Sequence, residues 1–415
     1  MAIVKEIMAV RPANEIVNEF SCLPYDVFTE KEARQVAGEK AKSIIRITRP
    51  EVNFDGDKIL DIDSLCRKSV EVYHDYKSRG YLEKDNEPGL FVYSQSVEGR
   101  TQIGLLGLVS VDEYLNGTIK KHELTREKKE AERVRYINAL SAQVEPVFLT
   151  YQSNNDIDAW LKEVMKGTPY YDFKCEQEVE HKLWKVSDAK QLETVKSFFE
   201  TQVDSFYIAD GHHRAAAASK VALERRKILP GHTGDESYNY FLAVCFPDEH
   251  LEIMDYNRVI KGLNDFSKEE FLINVEQNFM VNQVDAKEYR PSHLHEIAMY
   301  LDGAWYSLVA DEALYFEDDP VGSLDVSILT DLILSPFLGI DDLRKSDRIG
   351  FVGGVKGVGE LARLVDSKEW TVAFAMYPTS IEQLLLVADS GEIMPPKSTW
   401  FEPKLRSGLV IHEFY

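Results

Sequence analysis

A chain of 415 residues, 44% hydrophobic and 28% charged, can bury a sizeable core and reads as an ordinary globular protein of one to three domains. Its 48 basic and 70 acidic residues leave a formal net charge of −22, which repels polyanions and excludes non-specific binding to nucleic acid or acidic membranes. A local basic pocket for a small anion is still allowed.

No apolar run approaches a membrane span, and the opening "MAIVKEIMAVRPANEIV" lacks a signal-peptide core, so a cytoplasmic protein is expected. Cys22, Cys66, Cys175 and Cys245 are far apart, with no CxxC pair or zinc spacing, and read as unpaired thiols in a reducing compartment.

Strand-like and helix-like runs alternate, which favours a mixed α/β (α+β) class. In "FSCLPYDVFTEKEA" the pair Tyr25-Asp26 follows a proline and precedes a helix; Asp26 reads first as a turn or capping residue, second as a functional acid. "SIIRITRPE" places Arg46, Arg49 and Glu51 at the end of an expected strand. "PGLFVYSQ" and "TQIGLLGLVSV" read as neighbouring strands joined at "SVEGR". A charged helix is expected over 124–143, with Thr125 near its start, and two more over 155–166 and 188–201. Next comes the strand "SFYIAD", running straight into an alanine-rich helix. "YNYFLAVCFP" and "LEIMDYNRVI" look like a strand pair. Residues 262–322 read as an inserted α/β subdomain within one catalytic unit spanning 1–415. It comprises helix "SKEEFLINVEQNF", a strand, helix "SHLHEIAMYLDG" and strand "AWYSLVA". Alternating helices and strands then lead to the tail "IMPPKSTWFEPKLRSGLVIHEF".

The densest chemistry lies in "YIADGHHRAAAA", at a strand-to-helix turn. Gly211 can take a tight turn and lets a ligand approach the backbone. Amides opening the helix lack intrahelical acceptors and carry partial positive charge, so the turn is a ready anion site. Arg214 offers a planar fork for phosphate oxygens, His212 and His213 can donate hydrogen bonds, and Asp210 suits a magnesium ion or the orienting of a histidine. Two adjacent histidines can equally cap a helix and fill a polar notch. The strand-end location favours a ligand site, and zinc is disfavoured because no further His or Cys completes a set.

P-loop, dinucleotide-binding, protein-kinase and G-x-S-x-G motifs are absent, and the glycine-rich "FVGGVKGVGE" lacks their spacing, so it reads as a turn and helix start. Two further clusters stand out. "IKKHELTREKKEAERVR" supplies His122, Glu123, Thr125, Lys128 and Arg133; most of its charges suit a solvated helix, but Glu123 could act as a base toward a hydroxyl. The tail supplies Lys397, Ser398, Thr399, Lys404 and Arg406 among prolines that stiffen the loop, a pattern expected of phosphate binding.

The ordered set "LPYDV", "RPE", "KHELT", "YIADGHHRAAAA", "YNRVIK" and "IMPPKSTWFEPKLRSGL" resembles a widespread family known as a domain of unknown function, some of whose members look like kinases of free serine. The Asp-Gly-His-x-Arg turn is also similar to that of archaeal free-serine kinases, built on a ParB/sulfiredoxin-type fold. The resemblance implies that Asp210 is a magnesium-associated acid and that Gly211, His212, His213 and Arg214 grip a phosphate. His213 stands where those kinases usually carry threonine. Lys397, Ser398, Thr399, Lys404 and Arg406 would add phosphate contacts, and Tyr25, Asp26, His122, Thr125 and Arg133 substrate contacts. The base could be Glu123, Glu51 or Asp26. The expectation is a Mg²⁺-assisted kinase that moves a phosphoryl group from pyrophosphate, ATP or ADP to the hydroxyl of free L-serine. Its partners are a small-molecule donor and an amino-acid acceptor, with homo-oligomer formation left open. A phosphoester hydrolase and a non-catalytic phosphate- or nucleotide-binding module are the alternatives.

Overall fold

A computed structural model describes residues 2–56 and 60–414. It is a mixed α/β protein with several sheets, and the chain divides into two compact units: residues 1–121, 125–251 and 403–415 form the first, and residues 122–124 and 252–402 the second.

The first unit is organised by a nine-stranded sheet. In chain order its strands are β1 (Val4–Lys5), β2 (Leu90–Val97), β3 (Arg100–Ser110), β4 (Ile119–Lys120), β5 (Val147–Tyr151), β6 (Tyr171–Lys174), β7 (Glu180–Val186), β8 (Phe206–Asp210) and β9 (Tyr240–Pro247). The spatial order is β4-β8-β5-β9-β3-β2-β7-β6, with β1 alongside β3. Pairs β8–β4 and β9–β5 are parallel and the rest antiparallel. The expected hairpin β2–β3 closes on Glu98-Gly99, with φ of 50° and 81°, the left-handed pair that a two-residue turn needs to match strand twist.

Helices α1 (Glu30–Glu39), α2 (Ile62–Ser78), α3 (Glu127–Leu140), α4 (Asn155–Val164), α5 (Ala189–Gln202) and α6 (His212–Ile228) complete this unit. Ala215, Ala216, Ala217 and Ala218 are all buried and let α6 approach the sheet closely. Thr29 caps α1 through a reciprocal bond with Glu32, so Asp26 is left in a single 3-10 turn, Tyr25–Val27. The four cysteines are buried free thiols.

The second unit holds a six-stranded antiparallel sheet of β10 (Tyr256–Ile260), β11 (Phe279–Val284), β12 (Glu296–Leu301), β13 (Ala304–Ala310), β14 (Ile349–Gly353) and β15 (Val372–Ala375), in the order β11-β13-β12-β15-β10-β14. Helices α7 (Lys268–Val275), α8 (Val358–Asp366) and α9 (Ile381–Ser390) accompany it. Residues 262–322 fall inside this unit. Among the described residues no helix is long and apolar enough to cross a membrane.

Three local expectations are corrected. The segment 292–303 is not a helix: residues 296–301 form β12, paired with β13 across Asp302-Gly303, whose φ values of 49° and 81° mark a hairpin turn. All six β12 residues are buried, which erases the alternation that identifies a strand. β9 and β10 do not pair: both edges of β9 are taken by β3 and β5, and β10 lies between β14 and β15. The β-branched run around Arg46 is a short helix, Ile45–Thr48, not a strand. Its docking against α2, where Ser69 Oγ donates to the Ile47 carbonyl at 2.7 Å, overrides local propensity.

Candidate active site

The turn at 210–214 forms as its sequence requires. Aromatic and β-branched residues 206–208 hold β8 between β4 and β5. The register slips between Ile208 and Asp210, so the strand bulges at its last turn and re-aims Asp210. Gly211 caps α6 at φ +98°, a conformation that L side chains resist. A 17-residue helix starts at once, and the first intrahelical bond runs from Ala215 N–H to the Gly211 carbonyl at 3.0 Å.

Two cations converge on Asp210. Lys404 Nζ lies 3.2 Å from its Oδ2 and Arg214 Nη2 3.5 Å from the same oxygen. The Lys404 backbone is pinned by Gln95, whose Nε2 donates to its carbonyl at 2.9 Å, and Gln102 holds the preceding Pro403 carbonyl at 3.2 Å. Arg214 is buried and folds over its own turn. Its Nη1 donates to the Pro146 carbonyl, and a Cβ placed on Gly211 would stand 3.0 Å from its Cζ. Burial works against the Arg214 charge, but Asp210, Asp26 and Glu145 outweigh it.

The antiparallel run of β5 beside β8 explains the neighbour at Pro146, because the start of β5 must lie by the end of β8. Glu145 sits at that start, and its Oε1 accepts from Tyr25 N–H at 3.0 Å and Ser407 Oγ at 3.1 Å. Burial pushes its carboxyl above the usual range, against the pull of Arg214 and Arg133. Glu145 was missed in the sequence. The available signal was an acid before proline in the otherwise apolar "VEPVFLT".

His213 Nε2 accepts from Arg126 N–H at 2.9 Å, which places the proton of the neutral ring on Nδ1. Burial, then Lys129, hold it below the usual imidazole range. His212 is buried.

The N-terminal motifs meet this turn. The Asp26 charge reaches both His213 and Arg214 and favours their protonated forms. The turn that carries it is held by Arg49, whose Nη1 donates to the carbonyls of Tyr25 at 2.9 Å and Phe28 at 2.8 Å while its Nε pairs with Glu51 at 2.5 Å. Glu51 is thereby committed to Arg49. Arg133, from α3, stacks over the rings of Tyr25 at 3.9 Å and Tyr136 at 4.4 Å.

Other expected residues have different occupations. Thr125 Oγ1 donates to Glu130 at 2.6 Å, and Glu130 also pairs with Lys220. The Arg406 guanidinium is 2% exposed and donates to the hydroxyl and carbonyl of Ser21. It therefore clamps the chain just before the "LPYDV" segment. The tail is also divided, because Lys397, Ser398 and Thr399 belong to the second unit. There the Lys397 carbonyl accepts from Arg258 at 3.1 Å, and Ser398 Oγ donates to the Pro395 carbonyl at 2.7 Å. His122 and Glu123 are also in the second unit, with the His122 carbonyl accepting from Met394 N–H at 2.8 Å.

Among the described residues no group of three or more His, Cys, Asp or Glu is placed to hold a metal. Asp210, already between two cations, does not fit a metal ion held by the protein alone.

No curated protein matches the chain. Solved structures that it resembles include a conserved hypothetical protein from Pyrococcus furiosus, at 13% identity and TM-score 0.37, covering 73% of this chain and 95% of that one. A free serine kinase in complex with AMP matches at 14% identity and TM-score 0.37, covering 73% and 92%. SbnI with a C-terminal truncation, from Staphylococcus aureus, matches at 13% identity and TM-score 0.38, covering 73% and 85%. Residues 4–327 match the family described as "Protein of unknown function (DUF1015)", and the chain belongs to that family.

Proposed function

We propose that the chain is a small-molecule kinase that transfers a phosphoryl group to the hydroxyl of free L-serine, on a ParB/sulfiredoxin-like strand–turn–helix site. The observation that carries this reading is the convergence of Arg214 and Lys404 on Asp210, beside a glycine at φ +98° that opens a long helix. Phosphoryl transfer asks little covalent chemistry of a protein; it asks for positioning and for positive charge around the moving group. First-turn amides and two cations supply that charge, and Asp210 fixes where the cations point.

In this reading the bond between the donor's bridging oxygen and its terminal phosphorus breaks while serine Oγ bonds to that phosphorus. The hydroxyl proton passes to a carboxylate. Of the three candidates we favour Asp26, whose charge interacts with His213 and Arg214 whereas Glu51 is paired with Arg49. We assign magnesium to the donor's phosphates rather than to a preformed protein cage. Pyrophosphate, ATP and ADP all present the terminal phosphoryl group that such a turn grips.

The test is to incubate the full chain with magnesium, L-serine and each donor in turn, following phosphoserine by phosphorus NMR. Net phosphoserine from at least one donor is expected. Donor-independent loss of added phosphoserine would instead mark a hydrolase, and donor binding without turnover a sensor.

A further inference from the structure

The geometry points to a pocket for the charged head of a three-carbon amino acid, built in the first unit from Arg133, Arg214, Glu145 and Thr48. This inference rests on the serine-kinase reading and names where the acceptor sits. These four side chains line one cavity of about 40 Å³, together with Gln143 and a mostly apolar remainder that includes Ile47, Leu140 and Phe241. At roughly 10–15 Å³ per water it holds about three waters, room for a few heavy atoms and none for an aromatic side chain.

One polar atom in its wall lacks a partner: Thr48, 4% exposed, has no hydrogen bond to its Oγ1. Arg214 Nη2 has Asp210 Oδ2 at 3.5 Å, an ion pair too long for a hydrogen bond. Buried polar groups are normally satisfied, so the Thr48 hydroxyl calls for a water or a ligand. Arg133 lies over the rings of Tyr25 and Tyr136, and its Nη2 is 3.4 Å from the half-exposed Glu132 carboxylate, a long pair with which a planar anion would compete. Glu145 Oε1 accepts from two neutral donors, Tyr25 N–H and Ser407 Oγ, and its charge also interacts with Arg214 and Arg133. Two guanidinium groups and a hydroxyl suit a carboxylate; a carboxylate a few ångströms along suits an ammonium. A free α-amino acid carries both charges on one carbon. Arg214 belongs to this pocket and to the phosphate turn alike, so an acceptor seated here has its side chain directed by the same residue that meets the donor.

The experiment is calorimetric titration of the full chain with L-serine, L-serine methyl ester, 3-hydroxypropionate and L-phenylalanine, without donor and again with pyrophosphate. Alongside it, the serine KM is measured for wild type, Glu145→Gln and Thr48→Val, each checked for fold by thermal melting. L-serine is expected to bind, the ester and the hydroxy acid at least tenfold more weakly, and phenylalanine not at all. Glu145→Gln should raise the serine KM or Kd at least tenfold and Thr48→Val severalfold, with donor affinity unchanged. If Glu145→Gln fails to fold, Thr48→Val carries the test. Phosphoserine formation with an unchanged serine KM in the folded variants would overturn the pocket while leaving the kinase. Serine binding with the expected dependence but no phosphoserine from any donor would keep the pocket and remove the kinase. No serine binding under either condition would overturn the pocket.

Discussion

Two junctions among the described residues place glycine between a strand and the helix that follows it. One joins β8 to α6 through Gly211 at φ +98°, and the other joins β14 to α8 through Gly354 and Gly357, the latter at φ +72°. Their backbones offer an anion much the same thing. Their side chains do not. At the first, Arg214 and Lys404 bring two positive charges to one carboxylate. At the second, a Cβ on Gly354 would collide with the Asp255 carboxylate, and one on Gly359 would stand 2.8 Å from Glu288 Oε1. Its cations are Arg290, half-exposed and 3.4 Å from Asp255, and Lys356, exposed within the turn itself. A glycine turn becomes a phosphate site only when residues from elsewhere in the chain set the charge around it.

Removing the charge that separates the two junctions should have the largest effect. Arg214→Met takes a buried cation from between Asp210 and Glu145, so phosphoserine formation should fall at least about 100-fold and stability by ~3 kcal/mol. Arg290→Met at the other junction should leave turnover within about twofold of wild type. Equal losses in both variants, read by phosphorus NMR and thermal melting, would erase the distinction.

Next in size is the backbone itself. Gly211→Ala puts a side chain at φ +98°, ψ 29° and Gly357→Ala at φ +72°, ψ 164°, a region almost reserved for glycine, so each costs on the order of 1–3 kcal/mol. Only the first also presses on the Arg214 guanidinium, so only the first should lower turnover, by about tenfold. Lower melting temperatures in both variants, with slower turnover in the first alone, are the expected result.

The smallest effect is a pH dependence. His213 is held below its unfolded value, chiefly by burial, so the unfolded chain binds its proton first on acidification. The stability it contributes is present above the unfolded imidazole value, near 6.5, and is lost as pH falls toward the folded one. Protonation would also turn Nε2 into a donor facing the Arg126 N–H. His213→Gln, uncharged at every pH, should flatten the melting curve over that window; an unchanged slope would show that the imidazole does not titrate against this contact.

Much of the first junction was legible in the sequence because each local cue agreed. An aromatic, β-branched strand, an Asp-Gly pair and a run of alanines admit few other structures. The charge around it was only partly legible. In the sequence Lys404 and Arg406 read alike, as phosphate contacts, whereas in the structure Lys404 pairs with Asp210 and Arg406 clamps Ser21. Nothing in the spelling of "PKLRSGL" separates the two cations, since the difference lies in which strand each faces. Glu145 escaped notice because one acid before a proline resembles a strand terminator. β12 was misread because burial on both faces removes the period on which strand recognition depends.

The account turns on whether the amides and cations of residues 211–214 receive the phosphoryl donor. Titrating pyrophosphate, and separately ATP, into isotope-labelled protein while following backbone amide resonances tests this directly. The prediction is large, saturable shifts at Gly211, His212 and His213, with Gly357 and Val358 unmoved. Saturable donor binding that leaves residues 211–213 silent, or that moves the second junction instead, would contradict it.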